Sequence, residues 1–190
     1  MMDASQPLSE PRSSPRAIDG DVHVCPLRRV PEILMQTGAR HLVTLINQQT
    51  MLETPPGIFA DLHLKIAVND ITVPEAGLVH PCEAHIAELV RFAGIWNREG
   101  PLVIHCLAGI SRSTAAAFIT ACVLNPGTSE QLIARRLRQA SPTATPNRLL
   151  VQLADECLGR QGRMLAAVEE IGRGEMAAEA RPFVLSTRFE

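Results

Sequence analysis

Residues 102–114 read LVIHCLAGISRST, and the rest of the chain can be interpreted outward from them. The run 102–105 is short and mostly apolar, which predicts a buried strand. A second apolar stretch runs from Ser113 to Leu124, before Pro126, and predicts a helix. A strand that passes through a short loop into a helix is typical of an α/β sheet. In such sheets ligands bind at the carboxyl ends of the strands.

The loop 106–112 joins these two elements and is suited to bind an anion. Five residues separate Cys106 from Arg112, which lets successive backbone N–H groups point at one centre beside a helix N-terminus. Gly109 allows a positive φ in mid-loop, and Arg112 can grip two oxygens with its planar guanidinium. The same field favours the thiolate form of Cys106, a nucleophile suited to attack on a phosphate ester.

The spacing of a cysteine and an arginine is weak evidence by itself, because Cys157 and Arg163 repeat it. That second pair follows an amphipathic helical stretch, and no apolar strand leads into it. We therefore interpret it as a chance match and place the candidate site at Cys106.

Strands and helices alternate along the rest of the chain. Apolar runs bounded by turn residues predict strands at 22–25, 41–46, 62–68 and 102–105. Helical periodicity, capping residues and prolines predict helices at 31–37, 81–97, 113–124, 128–140, 147–158 and 164–171. We expect a single α/β domain with a central, mostly parallel sheet of four to five strands, flanked by helices on both faces. The expected organisation is a disordered N-terminal tail at 1–17, the main domain at 18–160 and a C-terminal helix and tail at 161–190.

Cleavage of a phosphate ester also needs a general acid, because an alkoxide or phenoxide leaves poorly without a proton. Asp70 follows the predicted strand 62–68 on a loop that can reach the same edge of the sheet, and Glu75 lies on the same loop. Asp61 precedes that strand, at the wrong end, and Glu83 falls within a predicted helix. Asp70 is the first candidate, and Glu75 is the alternative.

Three segments resemble the cysteine-dependent protein phosphatases, the superfamily of the dual-specificity and protein-tyrosine phosphatases. Residues 102–114 resemble its signature loop, residues 65–70 (KIAVND) its strand that ends in the acid, and the sequence from Pro146 its later Pro-Asn helix start. The resemblance spans roughly residues 20–158 and is strongest for the dual-specificity branch. It implies metal-independent hydrolysis of phosphate monoesters on protein side chains, with phosphotyrosine as one substrate and phosphoserine and phosphothreonine as further candidates.

The resemblance also implies a role for each site residue. Cys106 would form a phosphocysteine, Asp70 would act first as acid and then as base, and Ser113 would stabilise the departing thiolate. The phosphoryl oxygens would be bound by the Arg112 side chain and by backbone amides of Leu107, Ala108, Gly109, Ile110, Ser111 and Arg112. His105 and Asn147 would support the loop through hydrogen bonds, although Asn147 can equally serve only as a helix cap. No cofactor or metal is implied.

Composition restricts the partners of the chain. Its 190 residues carry a net charge of −2 and one lysine, Lys65, which argues against nucleic acid. No apolar run approaches the ~20 residues of a membrane span, and the N-terminus lacks the apolar centre of a signal peptide. We therefore expect a cytoplasmic protein with no membrane partner. The arginine-rich, lysine-poor composition favours a bacterial source, and the oligomeric state is left open.

The substrate class can be narrowed by what the sequence lacks. There is no tyrosine, so the aromatic wall that deepens the pocket of tyrosine-specific relatives is not expected. The loop residues 107–111 include no lysine, unlike those of relatives that act on phosphoinositides. A phosphorylated protein or peptide is the favoured substrate.

The five cysteines are odd in number and widely spaced, with no C-x-x-C pair. A disulfide framework or a zinc site is therefore not expected, and free thiols are. A reversible disulfide would protect Cys106 from oxidation if one of the others lay close enough. Those others are Cys25, Cys82, Cys122 and Cys157.

Two alternatives from other functional classes remain open. A catalytically silent phosphate-binding module would keep the loop and Arg112 but hydrolyse nothing. A rhodanese-like sulfurtransferase would carry a persulfide on Cys106 and would need no upstream acid. The loop length and the presence of Asp70 favour the phosphatase over both. The basic helix face at Arg135, Arg136 and Arg138 is interpreted as solvated, with a docking patch for an acidic phosphoprotein as its alternative.

Overall fold

The computed structural model describes residues 20–189, so the predicted disordered tail at 1–17 lies outside the described residues. Five strands are assigned in this range: β1 Val22–Pro26, β2 His41–Ile46, β3 His63–Ala67, β4 Leu102–Cys106 and β5 Phe183–Leu185. The α-helices are α1 Val30–Thr37, α2 Glu83–Ile95, α3 Arg112–Leu124, α4 Glu130–Ala140, α5 Arg148–Cys157 and α6 Arg163–Ile171.

The five strands form one sheet in the order β3-β2-β4-β1-β5. The first four are parallel, with His23 opposite Val103 and Thr44 opposite His105. The short β5 runs antiparallel to β1 at the edge, with Val22 opposite Leu185. The expected α/β domain with a mostly parallel sheet is confirmed. Parallel strands place the carboxyl ends of β1, β2, β3 and β4 along one edge of the sheet.

Alternation along the strands divides the core between the two faces of the sheet. Alternate residues such as Val24, Leu45 and Ile104 point to the larger core, which also contains α2 to α6. The intervening residues face α1, where Leu42 and Val103 belong to a smaller apolar cluster. Helices thus cover both faces, but the face shared with α1 has room for polar side chains near the end of β4.

Helix α3 lies at the centre of the larger core. Its residues from Arg112 to Cys122 are all buried, because alanines and other apolar residues surround the helix axis on every side. The burial fixes the direction of the N-terminus of α3, which meets the end of β4. The loop 106–112 is therefore held between two rigid elements.

Two local features differ from the predictions. Helix α4 begins at Glu130 and not at residue 128, because Ser129 is its N-cap and its hydroxyl accepts a hydrogen bond from the amide of Leu132. The segment after α6 returns to the sheet and forms β5, which no pattern in the sequence indicated. Within residues 20–189, no helix combines the length and the apolar character needed to cross a membrane.

Candidate active site

Strand β4 ends at Cys106, and α3 begins at Arg112, so the intervening loop lies at the carboxyl edge of the parallel strands. Asp70 reaches the same edge from the loop after β3, and Asn147 reaches it from the N-cap of α5. The structure thus brings the residues singled out in the sequence into one cluster.

The carbonyl groups of this loop point outward and are held by segments that surround it. The amide-to-carbonyl pairs are Leu27 to Leu107 (3.1 Å), Ala180 to Ala108 (2.9 Å), Thr145 to Ile110 (2.9 Å) and Asn147 to Ser111 (3.2 Å). In a planar trans peptide the N–H points away from the carbonyl. The amides of residues 108, 109, 111 and 112 therefore face the inside of the loop, which forms a cup of donors.

Gly109 occupies the tightest point of this cup, with φ at +73°. A Cβ atom at this position would lie 2.9 Å from the backbone nitrogen of Pro26 and 3.0 Å from the carbonyl carbon of Cys25. Both the positive φ and the close approach of β1 require glycine. The Gly109 amide points at the Cys106 sulfur, at 3.3 Å.

The Cys106 side chain is buried at the bottom of the cup, with 1 % of its surface exposed. Its Sγ atom lies 3.1 Å from Oγ of Ser113, in the first turn of α3. The hydroxyl of Ser113 and the amide of Gly109 can both donate to a sulfur anion. The sulfur therefore has polar partners even though the cysteine is buried.

Arg112 turns inward, and its side chain is almost fully buried. One terminal nitrogen, Nη1, donates to the carbonyl of Val68 over 2.8 Å. Within residues 20–189 its buried Nε atom has no hydrogen-bond partner, and it lies 3.8 Å from Oδ2 of Asp70. A buried donor left unpaired is rare in proteins, and an anion bound in the cup would satisfy it.

Asp70 is positioned by two donors on the same oxygen. Its Oδ1 accepts hydrogen bonds from Oγ of Ser111 at 2.7 Å and from Nδ2 of Asn147 at 2.9 Å. The alternative, Glu75, is exposed on the same loop. Within the described chain its carboxylate forms no hydrogen bond or ion pair with the loop, Arg112 or Asn147. The geometry therefore favours Asp70 as the carboxylate that faces an anion in the cup.

Behind the cup, a chain of buried polar side chains crosses three strands. Thr44 lies between two histidines, with its Oγ1 2.7 Å from Nε2 of His105 and 2.8 Å from Nε2 of His63. His105 reaches the carbonyl of Cys106 with Nδ1 at 3.3 Å, and His63 reaches the hydroxyl of Thr54 with Nδ1 at 3.0 Å. His105 was predicted to support the loop. Thr44, His63 and Thr54 were not singled out.

The partners determine which nitrogens carry protons in this network. The Cys106 carbonyl can only accept, so Nδ1 of His105 donates to it, and Nε2 of His105 accepts from Thr44. The Thr44 oxygen then accepts from Nε2 of His63, whose Nδ1 accepts from Thr54. Both histidines are thereby held neutral, and burial lowers the pKa of each to about 4. The positive charges of Lys65 near His63 and of Arg112 near His105 contribute to this lowering.

All five cysteines lie within the described residues and are free thiols. Cys25 lies on β1, opposite His105 in the strand register. Burial raises the pKa of its thiol to about 12, and the charge of Cys106 contributes to this rise. Cys25 is thus close enough to interact electrostatically with Cys106, while a protective disulfide stays a prediction.

Two hollows flank the loop. One, of about 960 Å³, is lined by Asp70, Ser111 and Asn147 together with residues 71–73, Glu75 and residues 173–177. The other, of about 640 Å³, is lined by Arg28, Leu107, Ala108, Ala178 and Glu179. Both are much larger than a phosphate group, so there is room for a chain that carries one.

No protein-family profile matches this chain, and no curated protein matches it significantly. Several solved structures, in contrast, match this chain. DUSP15 aligns with a TM-score of 0.54 at 18 % identity, over 82 % of this chain and 94 % of that one. The active form of Tk-PTP aligns with a TM-score of 0.52 at 20 % identity, over 75 % of this chain and 94 % of that one. The PTP-2 phosphatase of Cydia pomonella aligns with a TM-score of 0.52 at 18 % identity, over 72 % of this chain and 84 % of that one.

These likenesses confirm that the chain has the fold of the dual-specificity and protein-tyrosine phosphatases, as the sequence resemblance implied. They cover nearly the whole length of those structures, so the fold is shared throughout and not only around one loop. At this level of identity the shared property is the fold, and the roles of individual residues stay predictions.

Proposed function

We propose that this protein hydrolyses phosphate monoesters on protein side chains through a phosphocysteine intermediate, without a metal ion. One observation carries the proposal: the amides of the loop 106–112 face inward, with that of Gly109 on the Cys106 sulfur, and beside them the buried Nε of Arg112 has no hydrogen-bond partner within the described residues. Preorganised donors of this kind stabilise the charge that develops on a phosphoryl group during transfer.

In the first step, the Cys106 thiolate attacks phosphorus, forming an S–P bond while the P–O bond to the substrate side chain breaks. The electron pair of that bond stays on the leaving oxygen, which takes a proton from Asp70. Arg112 and the loop amides hold the three remaining phosphoryl oxygens. The contacts of Asp70 with Ser111 and Asn147 support this assignment, because they hold the carboxyl group beside the cup.

In the second step, water attacks the phosphocysteine, and Asp70 takes a proton from it. The S–P bond breaks, inorganic phosphate forms, and the electron pair of the broken bond returns to sulfur as thiolate. The Ser113 hydroxyl, 3.1 Å from the sulfur, is placed to donate to that thiolate as it departs. Since the reaction begins from a free thiol, it suits a reducing compartment such as the cytoplasm.

The substrate we propose is a phosphorylated protein. Phosphotyrosine and the shorter phosphoserine and phosphothreonine are all candidates, because the chain has no tyrosine to build an aromatic wall around the cup. The loop residues that flank the cup include the exposed Leu107 and carry no positive side chain before Arg112. This composition favours a protein side chain over a highly charged phosphoinositide headgroup.

The two alternatives are distinguished by Asp70. A silent phosphate-binding module or a rhodanese-like sulfurtransferase has no use for a carboxylate held beside the cup, and here two donors position one. This observation favours hydrolysis over both.

The test is release of phosphate from p-nitrophenyl phosphate and from a phosphotyrosine peptide, both in EDTA. We expect the parent protein to turn over both substrates and Cys106→Ser to abolish turnover. Asp70→Asn should lower kcat for the phosphopeptide by roughly 10²-fold or more, the usual contribution of a general acid. The effect on p-nitrophenyl phosphate should be much smaller, because p-nitrophenolate leaves readily without a proton.

Glu75→Gln is the matched control, since it neutralises the other carboxylate of the same loop and should leave both rates close to those of the parent. Full activity of Cys106→Ser would contradict the mechanism. A larger loss in Glu75→Gln than in Asp70→Asn would transfer the acid role to Glu75. Sulfur transfer from thiosulfate to cyanide without phosphate release would establish the sulfurtransferase instead.

A further inference from the structure

The segment that follows α6 crosses the mouth of the candidate site. We name residues 172–181 the C-terminal strap. Its first part, 173–177, lines the hollow of about 960 Å³ beside Asp70, and Ala178 and Glu179 line the hollow on the other side of the loop. The strap thus touches the space on both sides of the phosphate cup.

Hydrogen bonds fix the strap near both of its ends. At the first end, the amide of Gly174 donates to Oγ1 of Thr145 at 3.0 Å, and the amide of Glu175 donates to the carbonyl of Pro142 at 2.9 Å. At the other end, the amide of Ala180 donates to the carbonyl of Ala108 at 2.9 Å, and β5 follows. The span between these anchors is therefore held in place beside the cup.

The first side chain of this span is apolar and fully exposed. Met176 has a relative exposure of 102 %, and Val73, which lines the same hollow from the opposite loop, has 70 %. Apolar side chains that line a hollow with a polar rim mark a ligand surface more often than isolated ones do. Methionine also adapts its shape to a variable partner.

The charges around this hollow do not favour a strongly charged partner. Arg148 pairs with Glu169, so its charge is already compensated. Arg173 and Glu175 have opposite signs and lie two residues apart on the strap. The hollow also carries the exposed carboxylate of Glu75, which disfavours an acidic partner, and the feature that remains to bind a neutral one is the apolar pair.

We propose that the strap is a specificity wall for the substrate, and that Met176 and Val73 contact an apolar side chain next to the phosphorylated residue of a protein. This inference rests on the proposed function, because the phosphoryl group in the cup is what places the flanking chain in the hollow. The occupant is a phosphorylated polypeptide with apolar flanks.

The experiment compares two phosphotyrosine peptides of equal charge, one with leucine and one with asparagine on both sides of the phosphotyrosine. We expect the parent to prefer the leucine peptide by roughly fivefold in kcat/KM, mainly through KM, which is the scale of one partly buried apolar contact. Met176→Asn and Val73→Asn should each reduce this preference, and the double variant should abolish it. The rate with p-nitrophenyl phosphate, which has no flanking residues to contact Met176 and Val73, should not change.

Met35→Asn is the matched control, because Met35 is 80 % exposed on α1 and lines neither hollow. Equal kcat/KM for the two peptides, or a preference that survives in the double variant, would overturn the specificity wall. If the same proteins still turn over p-nitrophenyl phosphate, the proposed phosphatase activity is supported even though the specificity wall is not. If the parent hydrolyses neither peptide nor p-nitrophenyl phosphate, the proposed function fails, and the wall fails with it.

Discussion

The side-chain amide of Asn147 donates a hydrogen bond to Oδ1 of Asp70 over 2.9 Å, although 77 residues separate the two in the sequence. The same side chain uses its own oxygen to accept from the amide of Leu150 and so caps α5. Asn147 therefore has two separable tasks. It begins a helix with one atom and positions the candidate acid with another.

Asn147→Ser separates these tasks, because serine caps a helix about as well as asparagine but cannot reach Asp70. We expect kcat for a phosphotyrosine peptide to fall by roughly tenfold, a part of the 10²–10⁴ that a general acid contributes. The rate with p-nitrophenyl phosphate should fall less, since its leaving group needs little help. Steady-state kinetics with both substrates measures this. Equal losses on both would mean that Asn147 acts on the whole cup and not through Asp70.

Gly109→Ala should damage the cup through the backbone. The new Cβ would meet the β1 backbone at 2.9 Å and would force a residue with a side chain to adopt a φ of +73°. We expect a loss of about 1–3 kcal/mol in the free energy of unfolding and loss of most activity, because the Gly109 amide is one of the donors to Cys106. Chemical denaturation and turnover of p-nitrophenyl phosphate measure the two effects.

Gly94→Ala is the control for this substitution. Gly94 lies within α2, and no neighbouring atom stands within 4 Å of the position that a Cβ would take there. Alanine should raise stability by less than the roughly 1 kcal/mol expected for a helix interior, because Gly94 lies in the last turn, and it should leave turnover unchanged. A Gly109→Ala protein as stable and active as the parent would contradict the strain that we infer.

The features that were predicted correctly are those that depend on neighbours in sequence. Strand β4, the loop and helix α3 follow from one short run of residues, and the parallel sheet follows from the alternation of strands and helices. The network of Thr44, His63 and His105 joins three strands, so it exists only once the register is set. In the sequence, this network could have been suspected from the polar residues that interrupt otherwise apolar strands.

The C-terminal strap and β5 illustrate a second limit on what can be predicted from the sequence. A strand of three residues has no useful periodicity, and β5 is stabilised by pairing with the edge of β1. Its position depends on a free strand edge elsewhere in the fold. For the same reason, the strap beside the cup could not be foreseen from the sequence of residues 172–181.

His63 makes stability depend on pH. Its pKa is lowered from 6.5 to about 4 in the folded protein, so the unfolded chain takes up a proton at higher pH than the folded one. The free energy of unfolding should therefore fall as pH drops from 6.5 towards 4, and His63 alone accounts for roughly 2 kcal/mol between pH 7 and pH 5. His63→Gln keeps a donor for Thr44 but cannot titrate.

We expect His63→Gln to be less stable than the parent at pH 7 and the difference to narrow by roughly 1–2 kcal/mol at pH 5. Urea denaturation at the two pH values measures it, and histidines present in both proteins cancel from the comparison. Parallel pH profiles would show that His63 binds its proton equally well in the folded and unfolded states.

Arg138 joins α4 to the beginning of the strap and was wrongly grouped with a solvated basic face. Its guanidinium donates to the carbonyls of Ala144, Ile171, Gly172 and Arg173 at distances of 2.7 to 3.3 Å. Arg136, two residues earlier on the same helix, is exposed, and in the part of the chain that the structure describes it donates only to Gln139, at 3.4 Å. The two arginines therefore form a matched pair that differs in tertiary contacts.

Arg138→Met keeps most of the aliphatic stem but removes every donor, and it leaves several carbonyls near the strap unpaired. We expect it to lower the free energy of unfolding by about 2 kcal/mol or more and to speed amide hydrogen exchange at Gly174 and Glu175. Arg136→Met should change stability by less than about 0.5 kcal/mol and leave that exchange unaltered. Exchange at these two amides that is unchanged in Arg138→Met would show that the strap is held by its own contacts with Thr145 and Pro142, independently of the arginine.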